Sequence, residues 1–201
     1  MSDGHALFVR ITHWITAAAA LGLIVSGVAI LVAHPRLYWG ETGVLGGPSL
    51  IDLPIPFLLG HSGWGRYLHF LSAWVSVGCG LFYFGFGIAT RHFVRHLAPW
   101  EVVRPGSYNQ RQRLVYLVVV FVLSPLVLLS GLAFSPALRS VMPSLVSVFG
   151  GQQSARTIHF FAAAAVVLFI VVHVTMVWRA GFVRHTLAMV TGAAAPELED
   201  T

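Results

Sequence analysis

The chain has 201 residues, of which 57% are hydrophobic and 9% charged, and its mean hydropathy is +0.80. That balance excludes an ordinary water-soluble domain and predicts an integral membrane protein. The net charge of +5 rests on twelve basic residues, all arginine; they gather at the ends of apolar runs, where arginine reaches lipid headgroups, so they mark membrane surfaces and do not predict a nucleic-acid footprint.

The first apolar run, Ile11 to Ala33, opens on Arg10-Ile-Thr-His13-Trp14. It is longer than a signal-peptide core and lacks a small-x-small cleavage site at its end, so it is expected to remain in the mature protein. A connection from His34 to Arg66 follows, rich in Gly, Pro and aromatic residues; connections of that length in compact proteins are usually functional. Its short apolar part, Ile51 to Leu59, is broken by Pro54 and Pro56 and reads as an interfacial segment.

The second run, Tyr67 to Thr90, begins at Arg66-Tyr-Leu-His69-Phe70 and holds Cys79, the chain's one cysteine. A single thiol excludes a disulfide framework, a cysteine-held iron–sulfur cluster and covalent haem attachment. A polar stretch from Arg91 to Arg113 leads to the third run, Leu114 to Phe134. In that stretch His92 and His96 alternate with Arg91 and Arg95, whose charge disfavours a metal. The fourth run, Thr157 to Trp178, opens on Arg156-Thr-Ile-His159-Phe160 and carries His173. Each run reaches the roughly 20 residues a bilayer crossing takes, and none contains Asp, Glu, Lys or Arg.

These runs predict a single all-α membrane domain over residues 1–201, a four-helix transmembrane bundle. Apart from the recurring Arg-x-x-His, no repeat of whole helices is evident. Eight arginines lie at the chain ends and between runs two and three, and four in the other two connections. By the positive-inside rule both termini are expected in the cytoplasm.

A histidine in hydrocarbon is costly unless partnered, so four of them point to metal or cofactor ligation. Fourteen residues separate His159 from His173; a helix turns about 1400° and rises about 21 Å over that distance, which places both on one face near opposite membrane surfaces. The topology then pairs His13 with His173 at the cytoplasmic side and His69 with His159 at the periplasmic side. Two histidines per iron and two irons predict two b-type haems. Small residues lie one to three turns from the ligands (Ala17 to Ala20, Gly78 with Gly80, Ala162 to Ala165), where a macrocycle or a close helix needs room. Arg10, Arg66 and Arg156 each lie one turn nearer water than their histidine, and Arg179 six residues beyond His173, all placed to pair with haem propionates.

Single histidines on the first two spans, the pair on the fourth, and Tyr108-Asn109-x-x-Gln112-Arg113 before the third together resemble the bacterial diheme cytochrome b subunits. These are the subunits of formate dehydrogenase, nickel-iron hydrogenase and thiosulfate reductase, related to bacterial cytochrome b561. The resemblance runs from Arg10 to about Arg184. It implies a quinone site at the cytoplasmic haem formed by Asn109, Gln112 and His173; Arg111, where formate dehydrogenase subunits have a small residue, is a departure from the pattern. The segment His34-Pro-Arg-Leu-Tyr-Trp-Gly-Glu41 resembles the thiosulfate-reductase type, whose partners are commonly periplasmic molybdopterin enzymes.

The resemblance thus implies a membrane anchor and electron conduit of the bacterial inner membrane, joining a periplasmic oxidoreductase to the quinone pool. Such a chain is an electron-transfer subunit with no catalytic residues of its own. Two other classes compete: a stand-alone b561-type superoxide:quinone oxidoreductase, and a non-redox membrane anchor or transporter.

Overall fold

A computed structural model describes residues 6–43, 48–55, 62–91, 114–115, 117–133 and 135–192. Helix α1 spans Leu7–Ala33, and a two-residue strand β1 (Arg36–Leu37) pairs antiparallel with β2 (Ile51–Asp52) before α2 (Ser62–Ala89). A π turn at Val119–Leu123 runs into α3 (Ser124–Ala133), two short helices follow as α4 (Pro136–Val141) and α5 (Pro143–Val148), and the long α6 (Gln152–Arg179) precedes the terminal α7 (Phe182–Thr191).

Three helices, α1, α2 and α6, are long and apolar enough to cross a membrane. The third apolar run forms a shorter helix over Val119–Ala133, with Leu114, Val115, Leu117 and Val118 also helical and residues 116 and 134 outside the described set. The long helices each begin about a turn before the charge-free run, so Arg10, Arg66 and Arg156 stand inside them. Only 17%, 17% and 6% of the most apolar windows of α1, α2 and α6 are buried within the protein. Their side chains therefore need hydrocarbon as solvent, which makes this a multi-pass membrane protein.

The buried positions explain how the helices approach. Among the described residues, apart from Pro35, Leu37 and Val146, they are Gly, Ala, Ser and Thr, including Ser26, Ala29, Ser130, Ala133, Ala155 and Thr157. Lipid tails are as apolar as leucine, so membrane helices gain by close backbone contact through small residues. Several hydroxyls are satisfied by donating back to their own helix, as Thr12 does to Phe8 O at 2.8 Å and Thr175 to Val171 O at 2.7 Å.

The tightest packing lies within two antiparallel hairpins, α1 on α2 and α3 on α6. In α3 the π turn has a local cause. Pro125 lacks an N–H and its ring would strike the carbonyl one turn back; the ladder widens there, and Ser124 Oγ donates to Val119 O at 2.8 Å.

The connection after α1 differs from the expected interfacial segment. Ile51 and Asp52 pair with Leu37 and Arg36, closed by Leu50 N to Leu37 O at 2.8 Å, while residues 56–61 lie outside the described set. This loop is fastened to the start of α6. Gly40 N donates to Ser154 Oγ (2.8 Å), Gln153 N to Gly40 O (2.9 Å), and Thr157 Oγ1 to Tyr38 O (2.6 Å).

Candidate functional site

Both α2 and α6 begin at the end of the molecule that carries this loop. There His69 and His159, each one turn past an arginine, face one another with ring centroids 6.1 Å apart and planes at 68°. At the opposite end, where the described chain begins and finishes, His13 of α1 faces His173 of α6 with centroids 6.4 Å apart at 59°. His173 is exposed and stacks on Phe169, one turn before it, at 5.8 Å.

These separations test whether the residues fit a haem. A metal–imidazole nitrogen bond is about 2 Å and the ring centre lies about 1.1 Å beyond, so two imidazoles on opposite sides of one iron have centroids about 6.3 Å apart. Both pairs match. Among the described residues no group of three or more His, Cys, Asp or Glu gathers; two imidazoles per site suit an iron whose remaining ligands come from a porphyrin.

The histidines at the loop end are held in a way that a search for titratable groups overlooks. His159 Nδ1 lies 2.8 Å from Val127 O and 3.3 Å from Ser130 Oγ on α3. His69 Nδ1 lies 3.0 Å from Ser26 Oγ on α1. A β-carbon at Gly131 would stand 3.0 Å from His159 Cε1, and one at Gly27 would stand 3.8 Å from His69 Cε1. The signal was present in the chain: Ser26-Gly27-Val28-Ala29 and Ser130-Gly131-Leu132-Ala133 each occupy the helix before an Arg-x-x-His-Phe.

Around this pair the loop end is cationic. Arg156 Nη2 donates to the His34 carbonyl at 2.5 Å. Partial burial, then the charges of Arg156 and Arg66, hold the His34 imidazole below its usual pKa. Asp52 of the same loop is paired with Arg36 at 3.2 Å in an exposed bridge of little energetic weight. Arg66 and Arg156 thus stand one helical turn outside His69 and His159.

Arg10 also reaches the far end of the chain. Its Nε donates to Met189 O at 3.3 Å and its Nη2 to Val190 O, and Trp14 Nε1 reaches Met189 O at 3.4 Å. A guanidinium on the last carbonyls of α7 satisfies acceptors left open at a helix C-terminus and complements its dipole. Arg179 is exposed in the last turn of α6. Asn109 and Gln112, with Tyr108 and Arg111, lie outside the described residues. Of the expected small-residue positions, Ala19 and Ala162 are buried in helix contacts, whereas β-carbons at Gly78 and Gly80 would meet nothing within 4 Å.

Apolar helices that hold histidines in facing pairs define a membrane cytochrome. The chain belongs to the prokaryotic cytochrome b561 family, whose model matches residues 4–192. It is accordingly a b561-type membrane cytochrome that binds haem b. The chain is also similar to the putative protein-methionine-sulfoxide reductase subunit YedZ1 of Azospira oryzae, at 30% identity over 210 aligned residues covering 94% of this chain and 96% of the relative. No solved structure matches it significantly.

Proposed function

We propose that this chain is the membrane-embedded, electron-carrying subunit of an oxidoreductase and binds two haems b, one at His13/His173 and one at His69/His159. The observation that carries this reading is the pair of facing imidazoles near each end of α6, spaced as opposite ligands of one iron. Haem b, when bound, supplies a one-electron iron couple. Two imidazoles on that iron leave no open coordination position, so the protein's task is conduction between other reactants and not oxygen or substrate binding.

The chain forms one membrane domain over residues 1–201, with four crossings near 11–33, 67–90, 114–134 and 157–178 and both termini in the cytoplasm of the bacterial cell. Arg66 and Arg156 hold propionate carboxylates at the periplasmic side by charge-assisted hydrogen bonds. At the cytoplasmic side Arg179 has its guanidinium available, and Arg10 has the donors that α7 does not use. Asn109, Gln112 and the His173 region bind the quinone head, by resemblance to the diheme subunits.

The partner is a periplasmic oxidoreductase, of molybdopterin type by the same resemblance, docked on the loop that carries β1 and β2. The relative's name supports a reductase acting on methionine sulfoxide in proteins. A reductase consumes electrons, so the flow would run from quinol to the partner. No observation favours the superoxide-oxidising or transporter classes.

The test is the haem content of single variants. His69→Ala and His159→Ala should each lose the same one of two haems, and His13→Ala and His173→Ala the other. Retention of both haems in His69→Ala would overturn the pairing.

A further inference from the structure

We propose that Ser26 and Ser130 are positioning residues that fix the tautomer and rotation of His69 and His159, and so set the reduction potential of the haem between them. This rests on the reading of those two histidines as iron ligands.

The hydroxyl directions follow from the hydrogen bonds on their own helices. Ser130 Oγ donates to Leu126 O at 2.6 Å, and Ser26 Oγ to Gly22 O at 2.6 Å. A hydroxyl has one hydrogen, so each turns lone pairs toward the facing ring. His159 Nδ1 has a second neighbour that can only accept, Val127 O at 2.8 Å. Facing these acceptors, each Nδ1 carries the proton. The Nε2 lone pair is then left for a metal, and hydrogen bonding at Nδ1–H makes the imidazole more basic.

The same device occurs in both hairpins. In each, a fully buried serine on the first helix, at positions 26 and 130, bonds the histidine of the Arg-x-x-His on the second. The glycine that follows lets the ring in, and here the hairpins differ. At Gly131 a β-carbon would press on His159 at 3.0 Å from Cε1 and 3.2 Å from Nδ1; at Gly27 the nearest ring atom is in ordinary contact at 3.8 Å.

The experiment uses full-length protein purified with its haems. It reads haem per chain, both midpoint potentials by potentiometric titration, and the low-spin ferric resonance spectrum, which reports the rotation of the ligand rings. Ser130→Ala and Ser26→Ala each remove one acceptor and leave the histidine itself in place. They should therefore keep two haems, raise one and the same midpoint potential, and shift one ferric signal. Ser130→Thr, which keeps the hydroxyl, should restore both values. Gly131→Ala should displace or lose that haem, while Gly27→Ala should be near wild type.

Unchanged potentials and resonance in both alanine variants would overturn the proposal. So would a Ser130→Thr variant that behaves as Ser130→Ala does, since the serine would then be only a spacer. A His159→Ala variant measured beside them separates the two layers: if it keeps both haems, the ligand assignment itself fails, whatever the serines do.

Discussion

Replacing Gly151 with alanine should undock the loop that carries β1 and β2 from α6. Gly151 has φ +113° and packs against Gly40, so that an added β-carbon would stand 2.5 Å from the Gly40 carbonyl carbon and oxygen and 2.8 Å from Glu41 N. Holding an L-residue at φ +113°, ψ +167°, a region essentially reserved for glycine, costs about 1–2 kcal/mol. The backbone of Gly40 cannot yield without weakening its bonds from Gln153 N and to Ser154 Oγ, worth about 1 kcal/mol each. Together these give about 3–4 kcal/mol, enough to release the segment that holds the His34 carbonyl on Arg156. The assay is amide hydrogen exchange of residues 34–55 in detergent micelles, with thermal unfolding followed by helicity. Exchange should rise more than a hundredfold in that segment while α1 stays protected. Gly63→Ala is the control, since nothing lies within 4 Å of its β-carbon, and it should be neutral or slightly stabilising. Equal protection in Gly151→Ala and Gly63→Ala would refute the clamp.

Arg10→Gln should loosen α7 by about 1–2 kcal/mol, because the cation on its last carbonyls is lost; limited proteolysis after residue 181 would detect it, and an unchanged cleavage rate would show that Trp14 suffices. His34 carries a pH signature. Its folded pKa lies below the usual 6.5, so the unfolded chain binds more protons between the two values. Stability from this group is complete above about pH 6.5 and is lost as pH falls through the folded value, a slope that His34→Gln should flatten in melting curves. Asn109→Ala should slow quinol-dependent haem reduction with haem content unchanged, and normal kinetics would remove Asn109 from the quinone site.

Much of the membrane architecture was legible because hydrocarbon imposes a coarse rule: runs without charge become helices. The helices themselves start about a turn before those runs, since arginines at 10, 66 and 156 end a charge-free run without ending the helix. The rule missed the β1–β2 pairing, because a two-residue ladder is too short to show alternation. Arg10 illustrates a different limit. Its distance from His13 along the chain is one turn, but its partner carbonyls belong to residues 189 and 190, beyond the reach of local spacing. The Ser-Gly pairs were visible and passed over, as a serine in a membrane helix ordinarily bonds its own backbone. Their meaning appears only when a second helix brings an imidazole to the same oxygen.

The central claim is that four histidines hold two haems, and the most direct measurement is the haem content of the purified protein. A dithionite-reduced minus air-oxidised spectrum, with haem quantified as the pyridine complex, should give two b-type haems per chain. One haem per chain would contradict one of the two histidine pairs, and none in a folded preparation supplied with haem would contradict both.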